Sequence, residues 1–306
     1  MIPYFLTIIV LILLAPILLS YIKATKMLLL FKRPVSLLQG YRDFSKLLQK
    51  ETIISEETSK ITRWAPFLVL SPLIVILFFL PPVMQGAYYV SFVDAFTITG
   101  LISLSTFFLM LLGLDSASAF GGMGSSRESF IAALVEPAMV LTVFSVSLMA
   151  GDLGVGQAGV NLAEHFPKEH MASFLFAGIS FFILLVAENG RIPVDNPETH
   201  LELTMVHEAM ILELSGVYLA IVESASSIKF IVFASLFVSL FLPFGYEFNA
   251  LLAIVIFILK LFMVATFVAV LEVNSAKLRL FKIPNLLGLA IVFAFLSLIT
   301  FYVLGA

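Results

Sequence analysis

Apolar runs of about twenty residues recur along this chain, and a run of that length is what an α-helix needs to cross the ~30 Å hydrocarbon core of a bilayer. They lie at about 2–22, 64–82, 94–114, 129–150, 171–187, 218–242, 250–271 and 285–304. Barrel strands are excluded, because those alternate apolar and polar positions over only about ten residues. The composition agrees: 61% hydrophobic, 12% charged and a mean hydropathy of +1.10 over 306 residues. The expected fold is therefore an all-α integral membrane protein, a single polytopic domain over 1–306 with about eight transmembrane helices and a large polar loop on the cytoplasmic side. The chain has no cysteine, so disulfides, thiolate-held iron–sulfur clusters and cysteine zinc sites are excluded from it.

The basic residues set the orientation. The first run has no basic leader and is followed by Lys23, Lys26, Lys32 and Arg33, which reads as an uncleaved anchor with its N-terminus outside. Residues 23–63 carry nine of the seventeen Lys/Arg. Within them Val35 to Leu48 has helical apolar spacing, and predicts an amphipathic helix at the membrane surface. Counting eight spans rather than nine keeps Lys277, Arg279 and Lys282 on the cytoplasmic side with the rest, and puts both termini outside the cell membrane.

One polar stretch interrupts this oily pattern. Seven of the twenty acidic residues fall between Glu188 and Glu223, with only Arg191, His200 and His207 beside them. Pro193 and Pro197 forbid regular helix there, so a structured loop is expected to run into a helix over Glu198–Ser215. Such a helix would align Glu198, Glu202 and Glu213 on one flank. His200 and His207, about 10.5 Å apart in helical rise, could not share a metal, and His207-Glu208-Ala209-Met210-Ile211 lacks the second histidine of a zinc-protease motif. The glycine-rich stretch from Gly113 to Glu128 has no phosphate-loop ending and reads as a tight turn. Nothing in the pattern points to nucleic acid.

Four charged residues fall well inside the expected spans: Glu136, Glu223, Lys229 and Lys260. Each costs roughly 2.5–3.5 kcal/mol near the bilayer centre on insertion scales, so such groups face protein or water, and chains of them relay protons. Lys260 is too deep for its side chain to reach the headgroups.

The pattern Glu188, Arg191, Pro193, Asp195, Pro197, Glu198, Glu202 and Leu203 resembles the loop of the complex I membrane subunit that meets the peripheral arm; the fuller text runs from Gly190 to Pro197 and on through Thr199-His200-Leu201-Glu202 and His207-Glu208-Ala209-Met210. It is closer to the corresponding subunit of membrane-bound NiFe hydrogenases of the formate hydrogenlyase type. Gln39, Tyr41, Arg42, Asp43 and Lys46, the stretch from Gly113 to Glu128, and Lys277 to Pro284 extend the resemblance over nearly the whole chain. It implies a subunit with no metal or cofactor of its own and no catalytic centre. The NiFe centre and the iron–sulfur clusters are then expected in hydrogenase-like large and small partner subunits. Antiporter-like membrane subunits are further expected partners, and the chain would couple electron transfer to proton or sodium translocation. It also implies roles. Glu136, Glu213 and Glu223, with Lys229 and Lys260, would form the ion path. Arg127, Glu188, Arg191, Asp195, Glu198, His200, Glu202, His207 and Glu208 would form the docking and coupling loop. His200 stands where complex I members carry an acid, which favours the hydrogenase branch over a quinone-reducing one. A secondary transporter is the rival class, although the two polar loops, 115–128 and 188–204, show no repeat.

Overall fold

In the computed structural model the described residues are 2–55, 57–80, 94–164, 170–196, 205–245 and 250–304. They form α1 (Ile2–Leu29), α2 (Gln39–Gln49), α3 (Ile61–Phe79), α4 (Ala95–Asp115), α5 (Ala119–Ala150), α6 (Val155–Glu164), α7 (Met171–Glu188), α8 (His207–Ile211), α9 (Gly216–Phe241), α10 (Ala250–Asn274) and α11 (Ile283–Leu304). Eight of these (α1, α3, α4, α5, α7, α9, α10 and α11) are long and apolar enough to cross a membrane. The protein is a multi-pass membrane protein, and the eight-span reading of the sequence stands. The spans place residues 30–55, 57–60, 116–118, 189–196, 205–215 and 275–282 on one face, here the loop face, and α6 with the 242–245 turn on the other.

α9 is the centre of the bundle. It packs against α1, α2, α3, α6, α7 and α10, and Phe230, Phe233 and most of its second half are buried. Its aromatic rings interleave with those of α7: Phe181 lies 5.6 Å from Phe241 and 6.1 Å from Phe233, centroid to centroid. Lipid-embedded helices gain little from hydrophobic contact with one another, so buried hydroxyls add directional bonds. Thr142 of α5 meets Ser180 of α7 at 2.8 Å, Ser180 donates to the Ala290 carbonyl of α11 at 2.9 Å, and Ser297 donates to the Ser173 carbonyl at 2.8 Å.

Three expectations change. The surface helix is α2, starting at Gln39 rather than Val35; Leu37, Leu38, Phe44 and Leu48 stay exposed, as a helix lying on a bilayer requires. The glycine-rich stretch is mostly not a turn, for the chain reverses over Ser116–Ser118 and α5 begins at Ala119. The Ser118 hydroxyl caps that start by accepting from the Gly121 amide at 3.0 Å. The glycines are there for closeness: a Cβ on Gly121 would sit 2.3 Å from the Gly113 carbonyl oxygen, and one on Gly124 2.9 Å from the Val206 carbonyl oxygen. Finally, the helix expected over Glu198–Ser215 is, among the described residues, the five-residue α8 followed by a break at Leu212–Ser215. Glu198, His200 and Glu202 lie outside the described residues. α6 is a helix the sequence reading omitted.

Candidate functional site

The polar loop begins where α7 stops. Gly190 has φ +55°, its amide donates to the Ala187 carbonyl at 3.1 Å, and the Arg191 amide donates to the Val186 carbonyl at 3.0 Å. This is a Schellman end, in which only glycine takes the left-handed position without strain. The chain turns there and drives Arg191 into the protein, where it is 6% exposed.

Three charged clusters then fix the loop. The Arg191 guanidinium donates to Glu272 at 3.3 Å and lies 5.6 Å from the Phe230 ring centroid, while Lys26 meets the other oxygen of Glu272 at 3.3 Å. Asp195 accepts from Lys277 at 2.6 Å and from the amides of Val206 and His207 at 3.2 and 3.3 Å. The Leu278 amide donates to the Pro193 carbonyl at 2.8 Å, so the loop is tied to the segment after α10 by side chain and backbone together. Lastly, Lys229 crosses from α9 to Glu188 at 2.6 Å and to the Thr106 hydroxyl at 3.0 Å. Glu128 of α5 lies within electrostatic range of Glu188, Lys229 and Asp195.

Beside these clusters opens a cavity of about 540 Å³, walled by α1, α2, α3, α4, α8, α9, the end of α7 and the loop. Leu13, Pro16, Leu73 and Leu109 give it an apolar side; Lys23, Asp43, Glu188, Arg191, Asp195, His207, Glu208, Glu223 and Lys229 give it a charged one. Glu223 lies within range of Asp43, Lys23 and Lys50. Burial first, and the Lys229 ammonium second, pull His207 down to about 4, so its ring is neutral at pH 7. Burial raises Tyr41, whose hydroxyl donates to the Leu13 carbonyl. Carboxylates and cations spaced around a chamber large enough for water can pass protons between them, and a change of charge at one is felt by the next.

Seven of the residues singled out in the sequence thus meet at one place: Glu188, Arg191, Asp195, His207, Glu208, Glu223 and Lys229. Arg127 supports it from outside, donating to the Met205 carbonyl at 2.7 Å. The other three that fall among the described residues lie elsewhere. Glu213 is exposed in the break after α8, in a cleft with Ile53, Thr58 and Tyr218. Lys260 turns to the far face, where it donates to the Leu242 carbonyl at 2.7 Å and to the Phe244 carbonyl, with its ammonium 4.0 Å from the Phe244 ring centroid. It caps backbone acceptors at the end of α9. Glu136 faces outward from α5. Sequence reasoning missed Lys26, Glu128 and Glu272. The available signal for Glu272 was a lone acid at the end of an apolar run, just before the basic cluster Lys277, Arg279 and Lys282.

Residues 5–304 match the NADH dehydrogenase family. The chain belongs to that family. Among its relatives, hydrogenase-4 component C of Escherichia coli (strain K12) is 31% identical over 273 residues, covering 87% of this chain and 84% of that protein. Formate hydrogenlyase subunit 4 of the same organism is 29% identical over 291 residues, 94% of each chain. A subunit of the NADH-quinone oxidoreductase of Rickettsia bellii (strain OSU 85-389) is 31% identical over 176 residues, 56% of this chain and 50% of that one. A chain in the structure of the membrane-bound sulfane sulfur reductase, an archaeal respiratory membrane complex, has the same fold, with a TM-score of 0.82 over 97% of this chain and 98% of that chain at 14% identity. The long alignments are to the hydrogenase relatives; the quinone-oxidoreductase alignment covers about half of each chain.

Proposed function

We propose that this chain is the membrane subunit through which a membrane-bound NiFe hydrogenase of the formate hydrogenlyase type anchors its electron-transfer module and couples it to proton or sodium translocation. The observation that carries this reading is the cavity: a polar loop pinned by Arg191 and Asp195 forms part of the wall of a chamber lined by Glu188, Lys229, Glu223 and His207. The long alignments to the two hydrogenase relatives support it. The loop face lies in the cytoplasm of a cell-membrane protein whose termini are outside. Hydrogenase-like large and small subunits, bearing the NiFe centre and the iron–sulfur clusters, dock on that face, and antiporter-like subunits lie alongside in the membrane. Arg191, turned inward, shapes the docking loop rather than touching the partner. Charge arriving in the docked module is felt across the chamber by Glu188, Lys229 and Glu223, and the displaced proton moves along the membrane arm.

The test is the ratio of ions moved to hydrogen produced in sealed vesicles holding the intact complex. With Glu188→Gln or Glu223→Gln, which keep shape and hydrogen bonding but cannot exchange a proton, hydrogen production continues and the ratio falls. An unchanged ratio in both, on complexes shown to be assembled, removes the coupling role. Absence of a NiFe subunit from the purified wild-type complex removes the hydrogenase assignment.

A further inference from the structure

Glu136 has no place in the cavity. α5 runs 32 residues, and Glu136 lies 17 residues after Ala119 and 14 before Ala150, about 25 and 21 Å of helical rise from either end. Counted on the apolar part of that helix, 129–150, Glu136 lies about 10 Å of rise from the loop-face end and within about 5 Å of the middle. Yet Glu136 is exposed on the outer surface, on one helical stripe with Phe130, Ala133, Pro137, Val140 and Phe144, all exposed. Among the described residues nothing in this chain donates to it or pairs with it. The other charged side chains well inside the spans have partners or a place in the cavity: Lys229 pairs with Glu188, Lys260 donates to carbonyls that follow α9, and Glu223, though exposed, lines the cavity.

A second feature lies one residue away. Pro137 has no N–H, so it cannot donate to the carbonyl of Ala133, one turn earlier on the same exposed stripe. The stripe therefore presents two acceptors, a carboxylate and a main-chain carbonyl released from the helical ladder, at a depth where lipid offers no donor. A hydrocarbon-facing position would favour leucine, and an acidic side chain stays in a membrane only where protein or water meets it.

We propose that the outward stripe of α5 centred on Glu136 is an intramembrane docking face for a helix of another membrane subunit, one that carries a lysine or arginine at mid-depth. A single extended cation can reach both acceptors, the carboxylate as an ion pair and the Ala133 carbonyl as a hydrogen-bond acceptor. Phe130, Val140 and Phe144 supply the apolar contacts above and below. The proposal rests on the chain working within a multi-subunit membrane complex, and it adds where a membrane partner attaches and by what chemistry.

The experiment places a photo-crosslinking amino acid at Val140 of the full chain in native membranes, with Glu136 either kept or changed to Leu. Leucine suits a lipid-facing position, so Glu136→Leu leaves the chain itself folded, which its thermal unfolding in detergent checks. The expected result is a crosslink to a second membrane polypeptide, mapped to a helix with a mid-depth Lys or Arg, whose yield falls by at least about tenfold in Glu136→Leu because the partner's cation is left unpaired. Changing Glu136 to Lys and the partner's base to Glu together restores the yield. Crosslinks to lipid, to a second copy of this chain, or to a helix without a basic residue overturn the proposal, as does a yield that Glu136→Leu leaves unchanged. Retention of the soluble module, measured on the same preparation, is a separate readout: its loss from the wild-type complex counts against the hydrogenase reading and leaves the docking face standing.

Discussion

One carboxylate, Glu272, answers two cations. Lys26 comes from α1 and Arg191 from the loop, and the Glu272 side chain is 2% exposed between them. Removing one member of a buried ion pair leaves an uncompensated charge and costs about 3–5 kcal/mol, far more than an intact pair contributes. The asymmetry gives a prediction. Glu272→Ala takes the carboxylate away from the buried Arg191 and from Lys26 together and should lower thermal stability in detergent by roughly that amount, whereas Lys26→Ala leaves the Arg191–Glu272 pair intact and should cost at most about a third as much. Equal losses in the two variants would mean that Arg191 does not depend on Glu272. The sequence marked Arg191 as the one basic residue among seven acids, which suggests a solvent-facing docking charge. Its burial depends on the Gly190 turn and on an acid 81 positions away, a distance that no local pattern reveals.

At the scale of elements, two glycines bracket the loop and do different work. Gly190 ends α7 at φ +55°, and a Cβ there would meet nothing closer than 3.9 Å, so Gly190→Ala should cost only the strain of a left-handed alanine, about 1–2 kcal/mol. Gly216 opens α9 at φ +57°, but residues 50–52 pass directly over it. A Cβ would sit 2.7 Å from the Thr52 hydroxyl oxygen and 2.8 and 2.9 Å from the carbonyl oxygens of Glu51 and Lys50. Gly216→Ala should therefore also lift the 50–53 segment off α9, breaking the bond from the Ile53 amide to the Ser215 hydroxyl. Limited proteolysis should show faster cleavage within 50–60 in Gly216→Ala and not in Gly190→Ala; equal rates would mean that the segment yields without cost. Such close approaches explain what the sequence concealed. The eight spans were legible because a bilayer demands about twenty apolar residues whatever the fold. The polar loop was legible because its acids and prolines stand out. The start of α5 was not, since Gly121, Gly122 and Gly124 read as a turn until Gly113, Val206 and Met210 are seen pressed against the helix. Glu136 was legible as a charged group within a span, but its outward direction is a property of the bundle alone.

For the whole molecule, the loop face gathers charge from segments far apart in sequence: Lys277 pairs with Asp195, Arg127 holds Met205, and Thr62 donates to Asp115 at 2.9 Å through its amide. These contacts tie residues 60–63, 115–128, 188–196, 205–215 and 275–282 to one side, and with 23–50 they hold fourteen of the seventeen Lys/Arg. Of the other three, Lys229 and Lys260 lie within spans and Lys168 falls in the connection between α6 and α7. Basic loops are retained in the cytoplasm during insertion, so under the proposed function this bias should turn the loop face, and with it the cavity, toward the cytoplasm. In this cysteine-free chain the orientation can be read directly. Ala276 is exposed after α10 on the loop face, and Leu153 is exposed between α5 and α6 on the opposite face. An impermeant thiol reagent added to intact cells should label Leu153→Cys and spare Ala276→Cys, while opening the membranes should expose Ala276→Cys once the docked module is stripped away. The reverse pattern would place the fourteen basic residues outside. The loop held by Arg191 and Asp195 would then face away from any cytoplasmic electron donor, and the coupling role assigned to Glu188, Lys229 and Glu223 would fail with it.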